Sequence, residues 1–160
     1  MELLAYFDVH YAVQIHDQII NISGGRFGVL DLGRLESILV HVQNDLYYPD
    51  FGDKLTHLVF QINKGHCFND GNKRTSIALG AFFLEINGLG SLANHFIIQM
   101  ENVSVAVADN LIPRELLREI IESLLTEPDY NESLKLKIIA ALSIDYNGLT
   151  TDETTENSNF

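Results

Sequence analysis

Nine consecutive residues, His66-Cys67-Phe68-Asn69-Asp70-Gly71-Asn72-Lys73-Arg74, gather an imidazole, a carboxylate and two cations where a loop gives way to a helix. The apolar run that follows, Ile77, Ala78, Ala81, Phe82 and Leu84, has helical spacing, so the cluster stands at that helix's amino end. Unpaired backbone N–H groups and partial positive charge are available there, and a glycine at 71 lets an anion reach the backbone. Lys73 and Arg74 add formal charge to the same place. The chemistry this set suits is that of a polyphosphate, with His66 as a base and Asp70 as a metal carboxylate.

Several elements must position the cluster. Asp8 caps a first helix with the stripe Val9, Ala12, Val13, His16, Ile19 and Ile20, ended by Ser23-Gly24-Gly25 and carrying no evident chemistry. Four glycines between Gly24 and Gly33 surround only Phe27, Val29 and Leu30, which predicts a mobile loop or small hairpin flap. Asp31 caps a second helix presenting Leu32, Leu35, Leu39, Val42 and Leu46 and stopping near Tyr47-Tyr48-Pro49. Asp53 caps a third, with Leu55, Leu58, Val59 and Ile62 inward and Gly65 at its end. The fourth runs from about Gly71 to Asn87-Gly88.

Ser91 to Gln99 is ambiguous, since Phe96-Ile97-Ile98 suits a short extended piece; Met100 to Asp109 suits a short helix. Pro113 opens a further helix bearing Leu116, Leu117, Ile120, Ile121 and Leu124. Leu134 to Leu142 can form one more, and Thr150 to Phe160 reads as a polar tail that does not fold alone. The sum is an all-α bundle of six or seven helices, with residues 1–126 as one domain and 127–160 as an acidic C-terminal extension.

With 160 residues, nearly half of them apolar, the chain can bury one core. A net charge of -12 argues against broad binding to nucleic acid or an anionic membrane, so the basic residues at the centre are a local exception. The lone cysteine excludes an internal disulfide framework and suits a reducing compartment. No signal peptide or spanning segment is legible, and a cytoplasmic protein is expected.

The pattern His-x-Phe-x-Asp-Gly-Asn-x-Arg resembles the signature of the Fic/Doc superfamily, and its Asn72-Lys73-Arg74 ending is similar to that of the Doc (death-on-curing) toxins of bacterial toxin–antitoxin modules. The stretch with Asp31, Gly33, Arg34 and Glu36, the Gly65-His66 junction, Thr75, and the Phe83-Leu84-x-x-Asn87-Gly88 ending extend the likeness over about Leu4 to Leu125. The resemblance implies a Fic/Doc-like helical bundle in which His66 takes the proton from a target hydroxyl, a role imidazole suits near neutral pH. It also implies Asp70 as the Mg2+ carboxylate, Gly71, Asn72, Lys73 and Arg74 as holders of ATP phosphates, and Gly25, Arg26, Phe27, Gly28 and Val29 as a flap that docks the target by strand-like pairing. Phe68 is expected to anchor the loop in the core.

Two departures from the general Fic pattern bear on the reaction. Fic enzymes that transfer AMP commonly carry glycine where Lys73 stands and a further arginine where this chain has Ile77. A lysine there fills space and adds charge at the phosphates, which in Doc-like members goes with transfer of the γ-phosphate; Gly71, by contrast, is the Fic-like residue. The resemblance therefore implies a kinase of a protein Ser/Thr hydroxyl, elongation factor Tu in Doc, partnered by a small antitoxin. The alternatives are AMP transfer and a catalytically silent interaction module. A metal hydrolase is disfavoured because His66 and Asp70 have no third ligand at matched spacing. His10, His16, His41, His57 and His95 read as ordinary structural histidines, and Ser123 to Glu127 matches an inhibitory Ser-x-x-x-Glu spacing only by coincidence, since Pro128 follows.

Overall fold

Apolar positions recur at helical spacing along nearly the whole chain, and the computed structural model, which describes residues 3–152, is correspondingly all-helical. The helices are α1 (Val9–Ser23), α2 (Leu32–His41), α3 (Phe51–Lys64), α4 (Asn72–Ile86), α5 (Ala93–Ala108), α6 (Arg114–Thr126) and α7 (Glu132–Asp152), with a 3-10 turn at Gly90–Leu92. Among the described residues there is no strand, only an isolated antiparallel bridge between Val29 and Phe68.

The centre of the bundle is the pair α3 and α4, which buries Leu55, Leu58, Val59 and Ile62 from one side and Leu79, Phe83 and Leu84 from the other. Gly80 sets how closely they meet. A Cβ on it would stand 2.8 Å from Phe96 Cζ and 3.0 Å from Val59 Cγ2, so any larger residue would push α4 off α3 and α5. Phe83 stacks on Phe51 with ring centroids 4.8 Å apart, and such a fully buried aromatic contributes about 3 kcal/mol or more against truncation to alanine. Because α3 and α4 are consecutive and tightly packed, the loop between them, residues 65–71, is fixed at both ends.

Three expectations are corrected here, and the open reading of residues 91–99 is decided. α2 ends at His41, not near Tyr47: the buried Lys54 ammonium donates to Val42 O at 2.9 Å and to Asp45 Oδ1 at 2.8 Å, so the carbonyl at the helix end is satisfied from α3 and the chain turns away. Leu46 is left 92% exposed. The N-cap of α3 is Asp50; Asp53 occupies the third helical position and closes a capping box, accepting the Asp50 N–H at 3.3 Å. Phe96-Ile97-Ile98 is helical, with Phe96 buried against Gly80 and Ile97 and Ile98 outside, so periodicity of one apolar residue per turn prevailed over local β-propensity. Finally, α7 runs beyond Leu142 to Asp152, taking in Thr150–Asp152 of the expected tail; residues 153–160 lie outside the described residues. α7 sits on α6, burying Leu134 and pairing Lys137 with Glu119 at 2.7 Å.

Candidate active site

α3 stops at Gly65, where a Cβ would meet Gln61 O at 2.5 Å. The next residue, His66, has φ +50°, a left-handed conformation that costs a side-chain-bearing residue roughly 1–2 kcal/mol. It is held there by its neighbours. The Arg34 guanidinium, reaching from α2, donates to Gly65 O at 2.5 Å, and Cys67 and Phe68 just beyond are buried. The His66 side chain is consequently exposed, and strain of this kind is typical of a side chain aimed for function.

The flap, residues 24–31, is zipped to the same loop. Leu30 N–H donates to Cys67 O at 2.7 Å, Asn69 N–H to Gly28 O at 3.1 Å and Asn69 Nδ2 to Phe27 O at 3.1 Å. Of the expected loop or hairpin, the structure has the loop: the glycine-rich segment pairs with residues 67–69 and not with itself. In this pattern Val29 and Phe68 form the non-hydrogen-bonded pair, so the N–H and C=O of Val29 face away from the loop, without a hydrogen bond among the described residues.

At the start of α4 the residue in the N-cap position is Gly71, with φ +77° and no side-chain cap. The first intrahelical bond is Thr75 N–H to Gly71 O at 2.9 Å, which leaves the N–H groups of Asn72, Lys73 and Arg74 free of backbone partners. Asp70 turns its carboxylate back over this end. Oδ2 accepts the Arg26 N–H at 3.0 Å and Oδ1 the Gly71 N–H at 2.8 Å. Those two bonds, then the Arg74 and Arg26 charges, hold the Asp70 carboxyl below the usual carboxylate range. A Cβ on Gly25, whose φ is +122°, would approach Asp70 Oδ2 to 2.7 Å, so only glycine allows the flap so close.

Of the other expected site residues, Lys73 is exposed and makes no ion pair among the described residues. Arg74 is divided: its NH1 group donates to Gly24 O at 2.8 Å and to Ser23 Oγ, and NH2 lies 3.8 Å from Asp70 Oδ1. The Asn72 side chain faces the loop. Its Nδ2 donates to Phe68 O at 3.0 Å and its Oδ1 accepts the Phe68 N–H at 3.1 Å, so only its backbone N–H is available to an anion. Phe68 is 1% exposed.

His66, Asp70, Gly71, Lys73 and Arg74 open on one cleft of about 390 Å³, which Asn63 and Ala108 also line. Among the described residues no three His, Cys, Asp or Glu side chains come together as a metal cage. Three positions escaped the sequence reading. Arg34 figured only in the resemblance; Asn63 of α3 lines the cleft with its Oδ1 buried and unpartnered; and His16, read as an ordinary histidine, is in contact with the loop. No local signal marks His16, because its partner is 54 positions away.

The fold and site together define a helical protein whose loop-to-helix junction presents an imidazole, a carboxylate and backbone N–H groups without backbone partners on one cleft. Residues 6–84 match the Fic/DOC family. Over 81 residues the chain is 38% identical to the protein kinase doc of Escherichia phage P1, a match covering 48% of this chain and 64% of that protein. Over 89 residues it is 34% identical to Toxin Doc of Mycolicibacterium smegmatis, covering 53% of this chain and 68% of that one. The chain belongs to the Fic/Doc family.

Proposed function

We propose that the protein is a Doc-type toxin that transfers the γ-phosphoryl group of ATP to a Ser or Thr hydroxyl of a cytosolic protein. The observation that carries this reading is the opening of His66, Asp70 and Lys73 on one cleft at the uncapped start of α4. The names of the relatives, a protein kinase and a toxin, support it.

The donor set fits a magnesium-bound triphosphate. In a chain of net charge -12 this cleft joins the Lys73 ammonium, the Arg74 guanidinium and the three N–H groups of Asn72, Lys73 and Arg74, which is a site for a polyanion. Asp70 would hold Mg2+, with phosphate and water oxygens completing its shell; the ion would supply charge neutralisation at the phosphates. Gly71, Asn72, Lys73 and Arg74 would orient the phosphates, Asn72 through its backbone and Arg74 through Nε and NH2. His66 takes the hydroxyl proton as the oxygen–phosphorus bond forms and the bond to the leaving diphosphate breaks.

The target segment would lie along the flap. Val29 offers it a free N–H and C=O, and exposed Phe27, Leu30 and Leu32 surround that edge. Elongation factor Tu is the target the family resemblance suggests, and a small antitoxin is the matching partner. Gly71, the Fic-like residue, favours the rival reaction, AMP transfer to the same hydroxyl. ATP labelled at the α- or the γ-phosphate and incubated with the protein and a bacterial lysate separates the two. Label from the γ position on a protein band is expected, and label from the α position would refute the kinase reading. No helix among the described residues is long and apolar enough to cross a membrane.

A further inference from the structure

His16 is completely buried on α1, beneath the loop that carries the site. Its ring lies on that of Phe68 with centroids 3.9 Å apart and planes 6° from parallel, and its Nε2 is 2.7 Å from the carbonyl oxygen of Asp70. An oxygen with only lone pairs must be met by a proton, so Nε2 is the donor. The other ring nitrogen stands 3.4 Å from Asp17 Oδ1.

This bond fixes more than the position of a side chain. In a trans peptide the C=O and the following N–H point in opposite directions, so a carbonyl turned inward to His16 turns the Gly71 N–H outward, where it now meets Asp70 Oδ1 at 2.8 Å. Apart from the Asp70 carboxylate that accepts the Gly71 N–H, nothing local enforces that choice. Rotating the Asp70–Gly71 peptide plane by half a turn would carry Gly71 from φ +77° to a negative φ, and glycine accepts either. The flipped peptide would aim a carbonyl oxygen, with its partial negative charge, at the end of α4 where the phosphates are proposed to sit. We propose that His16 is a positioning residue: by donating to the Asp70 carbonyl it selects the peptide orientation that makes the start of α4 a phosphate site. The inference rests on the nucleotide reading above and assigns to α1 a part in it.

Two substitutions separate the donor from the packing. His16→Phe keeps a flat ring on Phe68 and removes the donor; His16→Gln removes the ring and keeps an N–H at similar reach. Asp70-Gly71 is the only Asp-Gly pair in the sequence, so protein labelled with 13C-carbonyl aspartate and 15N-glycine gives one amide signal for Gly71. In His16→Phe the Gly71 amide proton is expected to move upfield as it leaves the Asp70 carboxylate, and the dissociation constant for AMP-PNP with magnesium to rise on the order of tenfold, the effect of losing one buried hydrogen bond. His16→Gln should restore both. A Gly71 signal unmoved in His16→Phe, or one that moves while affinity holds, overturns the proposal. Should His16→Phe fail to fold, His16→Gln decides alone: a wild-type signal and an affinity within about twofold support the donor, and loss of both overturns it. Failure of the wild-type protein to bind AMP-PNP would instead remove the nucleotide reading, while the Gly71 signal still reports which way the peptide faces.

Discussion

The backbone N–H of Arg26 donates to the carboxylate of Asp70 at 3.0 Å, which makes the proposed metal ligand and the flap parts of one hydrogen-bonded unit. Asp70→Ala removes the acceptor while leaving the Leu30–Cys67 and Asn69–Gly28 bonds in place. Amide exchange at Arg26 is therefore expected to accelerate roughly tenfold in the variant, with Leu30 unchanged as internal control. Magnesium-dependent ATP binding should vanish with it. Arg26 protection equal to wild type would show that the carboxylate does not hold the flap.

His66 is exposed, and its backbone is left-handed, so the proposed base and the strain coincide at one position. His66→Ala should lower phosphoryl transfer by about a hundredfold or more and relieve toxicity on expression. His66→Gly should be as inactive, yet more stable than His66→Ala by about 1 kcal/mol, since glycine takes φ +50° without a Cβ clash. Urea denaturation of the pair measures this, and equal midpoints would contradict a strained backbone.

Lys73 projects from the first turn of α4 into the cleft and forms no ion pair among the described residues, so its loss removes charge and little else. Lys73→Ala is expected to leave the melting temperature within a degree or two and to weaken AMP-PNP binding about tenfold, with the deficit shrinking in high salt. An unchanged affinity would place the phosphates away from this side chain.

Burial, aided by the Arg114 charge, pushes the His57 imidazole down to about 4, while its ring bonds to Ile38 O at 3.2 Å. Above pH 6.5 the group is neutral in both states and does not affect stability. Between 6.5 and 4 the unfolded chain binds a proton that the folded protein does not, so stability falls with pH, by about 3 kcal/mol across the window. The fall should be correspondingly smaller in His57→Gln, measured by urea denaturation at pH 7 and 4.5. Parallel slopes in the two proteins would mean that His57 is not held neutral.

Cys67 follows the proposed base in sequence, but its thiol is fully buried and burial pushes its pKa up to about 11. At pH 8 it should resist iodoacetamide under native conditions and react promptly in urea, a contrast read by mass spectrometry. Rapid native labelling would indicate a loop far more open than these contacts allow.

Sequence alone determined the elements and the chemical inventory. Apolar spacing located the helices because each must bury a stripe, Asp8 and Asp31 capped as short carboxylates do, and the run from His66 to Arg74 set out the site's chemical groups in residues adjacent in the chain. Errors fell where a distant group outweighed a local preference: Lys54 ended α2, and Phe96 went to helix because Gly80 made room for it. What only the tertiary structure decided is which polar groups are already committed. Arg74 is shared with α1 and His16 is turned to the Asp70 carbonyl, because hydrogen bonds across 50 or more positions depend on how helices pack, and no local pattern of residues encodes that distance. Asn72, whose partner Phe68 is only four positions away, faces the loop because the loop's path brings that backbone to it.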